Sequence, residues 1–282
     1  MASGGPTPPV DLHAHTRASD GRLAPEELVA AAARGGVGTL AVTDHDTLDG
    51  VPEALAAGRR LGVRVVPGVE LSLRAPSGSL HLLGYFREPA PAPLAGRLAE
   101  LRRLRAERAA VMVERLAEMG APIDLADVEA RAGGAIGRPH VADALVAAGH
   151  AADRQDAFDR FLADGRPAWV PHRGLEPLEA VRLVVDSGGA PCLAHPASLA
   201  MTPRGLEAFV HRLAAAGLRG IEVHRADHTP GMRDLCAGIA RRRGLVPTGG
   251  SDYHGPEGLA VLGDTGVPPL PTDVLERLLP EG

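Results

Sequence analysis

Histidines and carboxylates recur in this chain in short blocks whose spacing suits cation binding. The first is Asp11-Leu12-His13-Ala14-His15, with Asp20 five residues after the second histidine. Side chains two apart on an extended strand share a face, so His13 and His15 can chelate one ion. Asp20 is a third ligand or a cap for the helix that Pro25 opens. In Val42-Thr43-Asp44-His45-Asp46-Thr47, His45 again ends an apolar run. Asp44, Asp46 and Asp49 suggest a calcium loop, but leucines at its fifth and twelfth positions (Leu48 and Leu55) exclude one. Glu70 stands among apolar residues, an expensive place for a carboxylate without a cation, and His81 opens a similar run. His195 ends Cys192-Leu193-Ala194. In Gly249-Gly250-Ser251-Asp252-Tyr253-His254, the glycines permit close backbone approach while Asp252 and His254 share a face.

Positioning these residues is a task for strands. Short apolar runs at 10–13, 39–43, 63–69, 80–86, 191–194, 220–223 and 245–248 read as strands. Amphipathic stretches at 25–34, 52–61, 177–186, 204–216 and 231–243 read as helices, with Pro25 and Pro52 near helix starts where a missing N–H costs least. This alternation predicts an α/β barrel or doubly wound sheet. Residues 94–165 break the rhythm with almost no strand signal. They read as a helical insertion: one long charged helix to 119, then shorter ones at 125–132, 139–148 and 153–162.

Composition narrows the chemistry. The 282 residues suffice for one large domain with an insert, and 45% are hydrophobic. No apolar run is long enough to span a membrane, and residues 1–10 read as a floppy tail rather than a signal peptide. All 30 basic residues are arginine, which excludes a Schiff-base lysine, a Walker-A lysine and a carbamylated metal-bridging lysine. The net charge of −5 argues against a broad nucleic-acid footprint. Cys192 and Cys236 fit reduced, buried thiols in a cytoplasmic protein. Of the 12 histidines, His150, His172 and His211 read as ordinary surface or helix residues.

The blocks act together. His13, His15, Asp20, His45, Glu70, His81, His195, Asp252 and His254 exceed what one or two ions need and suit three. The segments DLHAHTRASDG, VTDHDT, PGVELS, HLLGYF, LAHP and GGSDYHG resemble, in order, the motifs of the PHP (polymerase and histidinol phosphatase) phosphoesterases. The resemblance covers roughly residues 10–88 and 168–262. It implies a distorted (β/α)7 TIM-like barrel over 8–88 and 168–282, a helical cap over 89–167 and a flexible tail over 1–7. It also implies three divalent ions, Mn2+ ahead of Fe2+, Zn2+ or Mg2+. The first would take His13, His15, Glu70 and Asp252. The second would take Asp20, His45 and His254, and the third His81 and His195 with Glu70 bridging. Asp20, where some members have histidine, points to the branch acting on 5′-nucleotides, 3′,5′-bisphosphates or the 5′ ends of short RNA.

Paired divalent ions can turn water into hydroxide near neutral pH, so no protein nucleophile is required. Arg138, His140 and His228 are the candidate phosphate contacts, although Arg138 can equally pair with a carboxylate and His140 can cap its helix. Arg17 is as readily a solvated loop residue. The expected partner is a phosphorylated small molecule or short oligonucleotide, with no membrane and no obligate protein partner. The alternatives are a histidinol-phosphate phosphatase, an amidohydrolase-type enzyme and a non-catalytic metal-binding module. Amidohydrolases often need a modified lysine, which this chain lacks.

Overall fold

Seven strands follow one another round one sheet in chain order in the computed structural model, which describes residues 8–74, 80–89, 92–256 and 258–279. The tail expected at 1–7 lies outside them. β1 (Val10–Asp11), β2 (Thr39–Val42) and β3 (Arg64–Leu73) are parallel, as are β5 (Ala190–Leu193), β6 (Gly220–His224) and β7 (Val246–Gly249). Only β4 (Leu80–Tyr85) runs against its neighbours. Beyond β1, Leu12 N–H donates to the Gly249 carbonyl and Ala14 bridges Tyr253, so the ends of the sheet meet in a nearly closed barrel.

Helices α1 (Pro25–Arg34) and α2 (Val51–Leu61) connect the first strands. After the insertion come α7 (Pro177–Asp186), α8 (Pro203–Ala215), α9 (Pro230–Arg243) and the short α10 (Val274–Leu278). Proline in the first turn starts most of them, and Thr202 and Thr229 cap α8 and α9 by accepting from Gly205 N and Met232 N. Strand alternation divides the apolar residues. Leu83, Tyr85 and Cys192 fill the barrel interior, where Val274, Leu275 and Leu278 of α10 plug the end at which the parallel strands begin. Leu71, Leu82, Leu193 and Ile221 face outward onto the helices. Each such buried side chain contributes about 1.5–3 kcal/mol relative to exposure.

Helices α3 (Ala92–Glu118), α4 (Leu125–Arg131), α5 (Arg138–Ala147) and α6 (Arg154–Ala157) form the insertion, and a π turn over Phe158–Leu162 replaces the last part of the expected helix. Its core of Met112, Leu116, Val141, Leu145 and Leu162 is separate from the barrel's. The spine is α3, whose early leucines (Leu94, Leu98, Leu101) pack on the barrel while Met112 and Leu116 pack on the insertion. No described helix is long and apolar enough to cross a membrane.

Two strands differ from expectation. β3 extends to Leu73 because β4 pairs with it from Gly68↔Tyr85 to Leu73↔Leu80, so Glu70 lies within the strand rather than after it. β1 leaves its ladder after Asp11, since the next residues turn to the β7 side of the barrel.

Candidate active site

Every strand of the parallel set points its C-terminal end at one mouth, and β4 reaches the same mouth with its start. His13 and His15 follow β1, His45 follows β2, His195 follows β5, and Asp252 and His254 follow β7. Glu70 on β3 and His81 on β4 are brought to that rim by the register Ser72↔His81, with Glu70 bridging His45. Asp20 is carried by the turn after His15. That turn is fastened by buried Asp44, which accepts from Thr16 N, Thr16 Oγ1 and Ser19 Oγ, each at 2.7 Å. Gly250 is needed because a Cβ there would lie 2.3 Å from the His13 Cβ.

Glu70 is the hub. Its Oε2 lies 3.3, 3.2 and 3.1 Å from nitrogens of His13, His15 and His45. Its Oε1 lies 2.9 Å from both His81 Nδ1 and His195 Nε2. Asp252 Oδ1 is 3.3 Å from the Nε2 atoms of both His13 and His15. Asp20 Oδ1 is 3.3 Å from His254 Nε2, and its Oδ2 is 3.7 Å from His45 Nε2. Three groups have ligand atoms within 4.8 Å of one another: His15, Asp20, His45 and His254; His13, His15, Glu70 and Asp252; and His45, Glu70 and His81. His195 joins through Glu70 and through His81 Nδ1, 3.1 Å away. All nine expected ligands therefore converge on one rim.

These residues fit cations. His13 Nε2, His15 Nε2, His45 Nδ1 and Asp20 Oδ1 are buried without a hydrogen-bond partner, which is costly unless something positive occupies the space between them. Burial alone would raise the Glu70 carboxyl, but the charges of His81, His45 and His13 hold it well below the usual range. Burial would likewise lower His15, yet the neighbouring carboxylates of Asp252, Glu70 and Asp20 push it up to about 10. The carboxylates demand positive charge, from protons or from metal. The backbone is bent to this end: Asp46, His195 and Asp252 have φ of 51°, 24° and 57°, a region that costs a non-glycine residue about 1–3 kcal/mol.

A second feature lies under the insertion. A cavity shared by Asp20, His45 and His81 continues between Arg105, Arg108, Arg138, Phe158, Trp169 and His172. Arg105 fastens the wall to the barrel: its Nε donates to Asp46 Oδ2 at 2.6 Å, Nη2 to Ser72 Oγ at 2.7 Å and Nη1 to the Ile136 carbonyl. Arg108 donates to the Val170 carbonyl and makes no ion pair among the described residues; burial, then the guanidiniums of Arg138 and Arg105, pull it down to about 9. On the open side of the mouth, Arg225, Asp227 and Ser198 stand beside the ligands.

The expected phosphate contacts are dispersed. Arg138 lines the cavity, pairs with Asp164 at 2.9 Å and lies over Phe158. His140 is buried and accepts from Gly137 N through Nδ1, capping α5. His228 is buried against the Val223 carbonyl, and neither His140 nor His228 is among the residues lining these two cavities. Arg17 is exposed and pairs with Glu27. His172, read as an ordinary surface or helix residue, is instead enclosed in the cavity wall with both ring nitrogens unpartnered, and burial takes it down to about 2. Arg105, Arg108 and Arg225 carried no signal beyond arginine in a charged segment. Glu222 did, because a lone acid in Gly220-Ile221-Glu222-Val223 raises the same objection as Glu70.

Residues 11–121 match the PHP domain model. The chain is 35% identical over 272 residues to the 3′,5′-nucleoside bisphosphate phosphatase of Chromobacterium violaceum, covering 93% of each. The chain belongs to the PHP family. It is also 35% identical to the 5′-3′ exoribonuclease Rnm of Escherichia coli, over 87% of this chain and 85% of that one. Its fold matches a Bifidobacterium adolescentis protein described as a metal-dependent phosphoesterase, with a TM-score of 0.87, 33% identity and 97% of each chain covered. As a PHP protein the chain is a metal-dependent phosphoesterase, and the fold it shares with the Bifidobacterium protein takes in the helical wall beside the histidine–carboxylate rim.

Proposed function

We propose that this enzyme hydrolyses phosphate esters of nucleotides: 5′-nucleotides, 3′,5′-bisphosphates or the 5′ ends of short RNA. The observation that carries the proposal is the cavity that joins the histidine–carboxylate rim to the arginine and aromatic wall of the insertion. Guanidiniums offer planar forks to phosphate oxygens, and Trp169 and Phe158 offer flat faces to a base. The names of the bisphosphate phosphatase and exoribonuclease relatives support the same substrate class.

His13, His15, Asp20, His45, Glu70, His81, His195, Asp252 and His254 would hold three divalent ions, here proposed as Mn2+. A mixed imidazole–carboxylate set suits Fe2+ and Zn2+ as well, and availability decides among the three metals. Such ions, when bound, supply Lewis-acid activation of water and neutralise charge on the phosphoryl oxygens. The chain's own contribution is placement. Asp44 fixes the Asp20 turn, Arg105 holds the wall against the rim, and Arg108 and Arg138 bind anionic oxygen atoms away from the reacting phosphorus. Enclosure under the insertion limits water on that side and strengthens each charge interaction. Cys192 and Cys236 are buried free thiols, which supports the reduced, cytoplasmic setting expected from the sequence.

The test is a panel of AMP, adenosine 3′,5′-bisphosphate, a short 5′-phosphorylated RNA and histidinol phosphate, assayed with added Mn2+ alongside metal analysis of the protein. Nucleotide turnover with metal bound is expected. Selective turnover of histidinol phosphate would overturn the substrate class.

A further inference from the structure

The buried carboxylate of Glu222 takes no place among the nine ligands, yet it touches the supports of three. Ile221 and Val223 face the outer helices, so alternation along β6 turns Glu222 inward. Its side chain is fully buried, an unfavourable place for a carboxylate unless its oxygens are satisfied. Oε1 lies 3.0 Å from His13 Nδ1. Oε2 accepts from His195 N at 2.5 Å and from Arg225 Nη1 at 3.3 Å. Arg225 Nη2 in turn reaches Asp252 Oδ2 at 3.4 Å, while Asp227 holds the other edge of the guanidinium.

We propose that Glu222 is a positioning residue of the metal centre, setting the ring of His13, the backbone of His195 and, through Arg225, the carboxylate of Asp252. An imidazole that gives its Nδ1 proton to a carboxylate keeps one tautomer and presents the Nε2 lone pair. For His13, that Nε2 is the atom facing Glu70 and Asp252. His195 is held at a φ of 24°, and the Glu222 oxygen on its N–H stabilises that conformation. A carboxylate serving only as a structural partner for Arg225 would not also meet the ring of one ligand and the main chain of another. The inference rests on the metal-centre reading above.

The experiment strips the protein of metal and titrates Mn2+ into the wild type, Glu222→Gln, His13→Ala and Tyr85→Phe, with thermal unfolding of each. Gln keeps the size of the side chain but offers one acceptor in place of two. Glu222→Gln is expected to weaken Mn2+ binding roughly 10–100-fold, with activity recovering as Mn2+ is raised and KM unchanged at saturating metal. Tyr85, whose hydroxyl bonds the Leu12 carbonyl at 2.9 Å without touching a proposed ligand, is the structural control and should bind Mn2+ like the wild type. Wild-type Mn2+ affinity in Glu222→Gln, with only the unfolding temperature lowered, overturns the inference. If the Gln variant fails to fold, Glu222→Asp retains the charge but withdraws the oxygens, and undiminished affinity there overturns it equally. Wild type binding Mn2+ no more tightly than His13→Ala would instead overturn the metal-centre reading itself.

Discussion

The rim of the barrel and the wall of the insertion meet in one cavity but are built oppositely. The rim gathers imidazoles and carboxylates from strand ends, each with little freedom because the sheet register sets its place. The wall gathers arginines from α3 and α5, long side chains fixed by carbonyls and carboxylates of other segments. The rim concentrates negative charge that calls for cations; the wall concentrates positive charge that calls for an anion. A phosphate ester, held by metal ions on one side and guanidiniums on the other, would satisfy both. The net charge of −5 is therefore no obstacle to a phosphorylated substrate, since local charge decides.

If the rim does chemistry and the wall only binds, their variants must fail differently. The largest effect is expected from Glu70→Gln or from chelation. Losing several kcal/mol of charge stabilisation corresponds to a fall in kcat on the order of 10^3-fold, read as phosphate release with restored metal. Substantial activity after full removal of metal would end the distinction at once. Next comes Arg105→Met, which leaves buried Asp46 without its guanidinium and should cost about 3–5 kcal/mol of stability in urea unfolding. A loss under about 1 kcal/mol, the size of a surface pair, would mean that Arg105 does not fasten the wall. Arg108→Gln should raise KM roughly 10-fold or more, the worth of one hydrogen bond to a charged group, while kcat and metal content hold. Loss of bound metal in that variant would place Arg108 with the rim and erase the contrast. The smallest effect belongs to Arg103→Ala, which breaks an exposed pair with Glu107 one turn along α3 and should shift stability by no more than about 0.5 kcal/mol. A larger shift would show that this exposed face of the insertion bears on the fold.

Legibility in the sequence divides along the same line. His13 and His15, or Asp252 and His254, announce themselves because strand periodicity puts residues two apart on one face. His81 was harder: it opens its run instead of ending it, and only the reversal of β4 explains how it reaches the rim. His172 looked unremarkable because nothing near it in sequence tells that α3 and α5 will enclose it. Arg105 and Arg108 sit in a helix with charges on many sides, where periodicity does not choose the face that meets the barrel mouth.

By itself the sequence determined the alternation of strands and helices, the helix starts at proline, and the candidate ligands, since each depends on neighbours a few residues away. Even the histidine enrichment was legible as a site, because six of the 12 fall at strand edges, and His13, His15, His45 and His254 each have an aspartate within a few residues. Tertiary structure alone decided the reversed β4, the five imidazoles round Glu70, the carboxylate of Glu222 behind His13, and the arginine wall. These join residues tens to hundreds of positions apart, and their meeting depends on sheet register and on which apolar faces pack together, a property of the whole chain rather than of any segment of it.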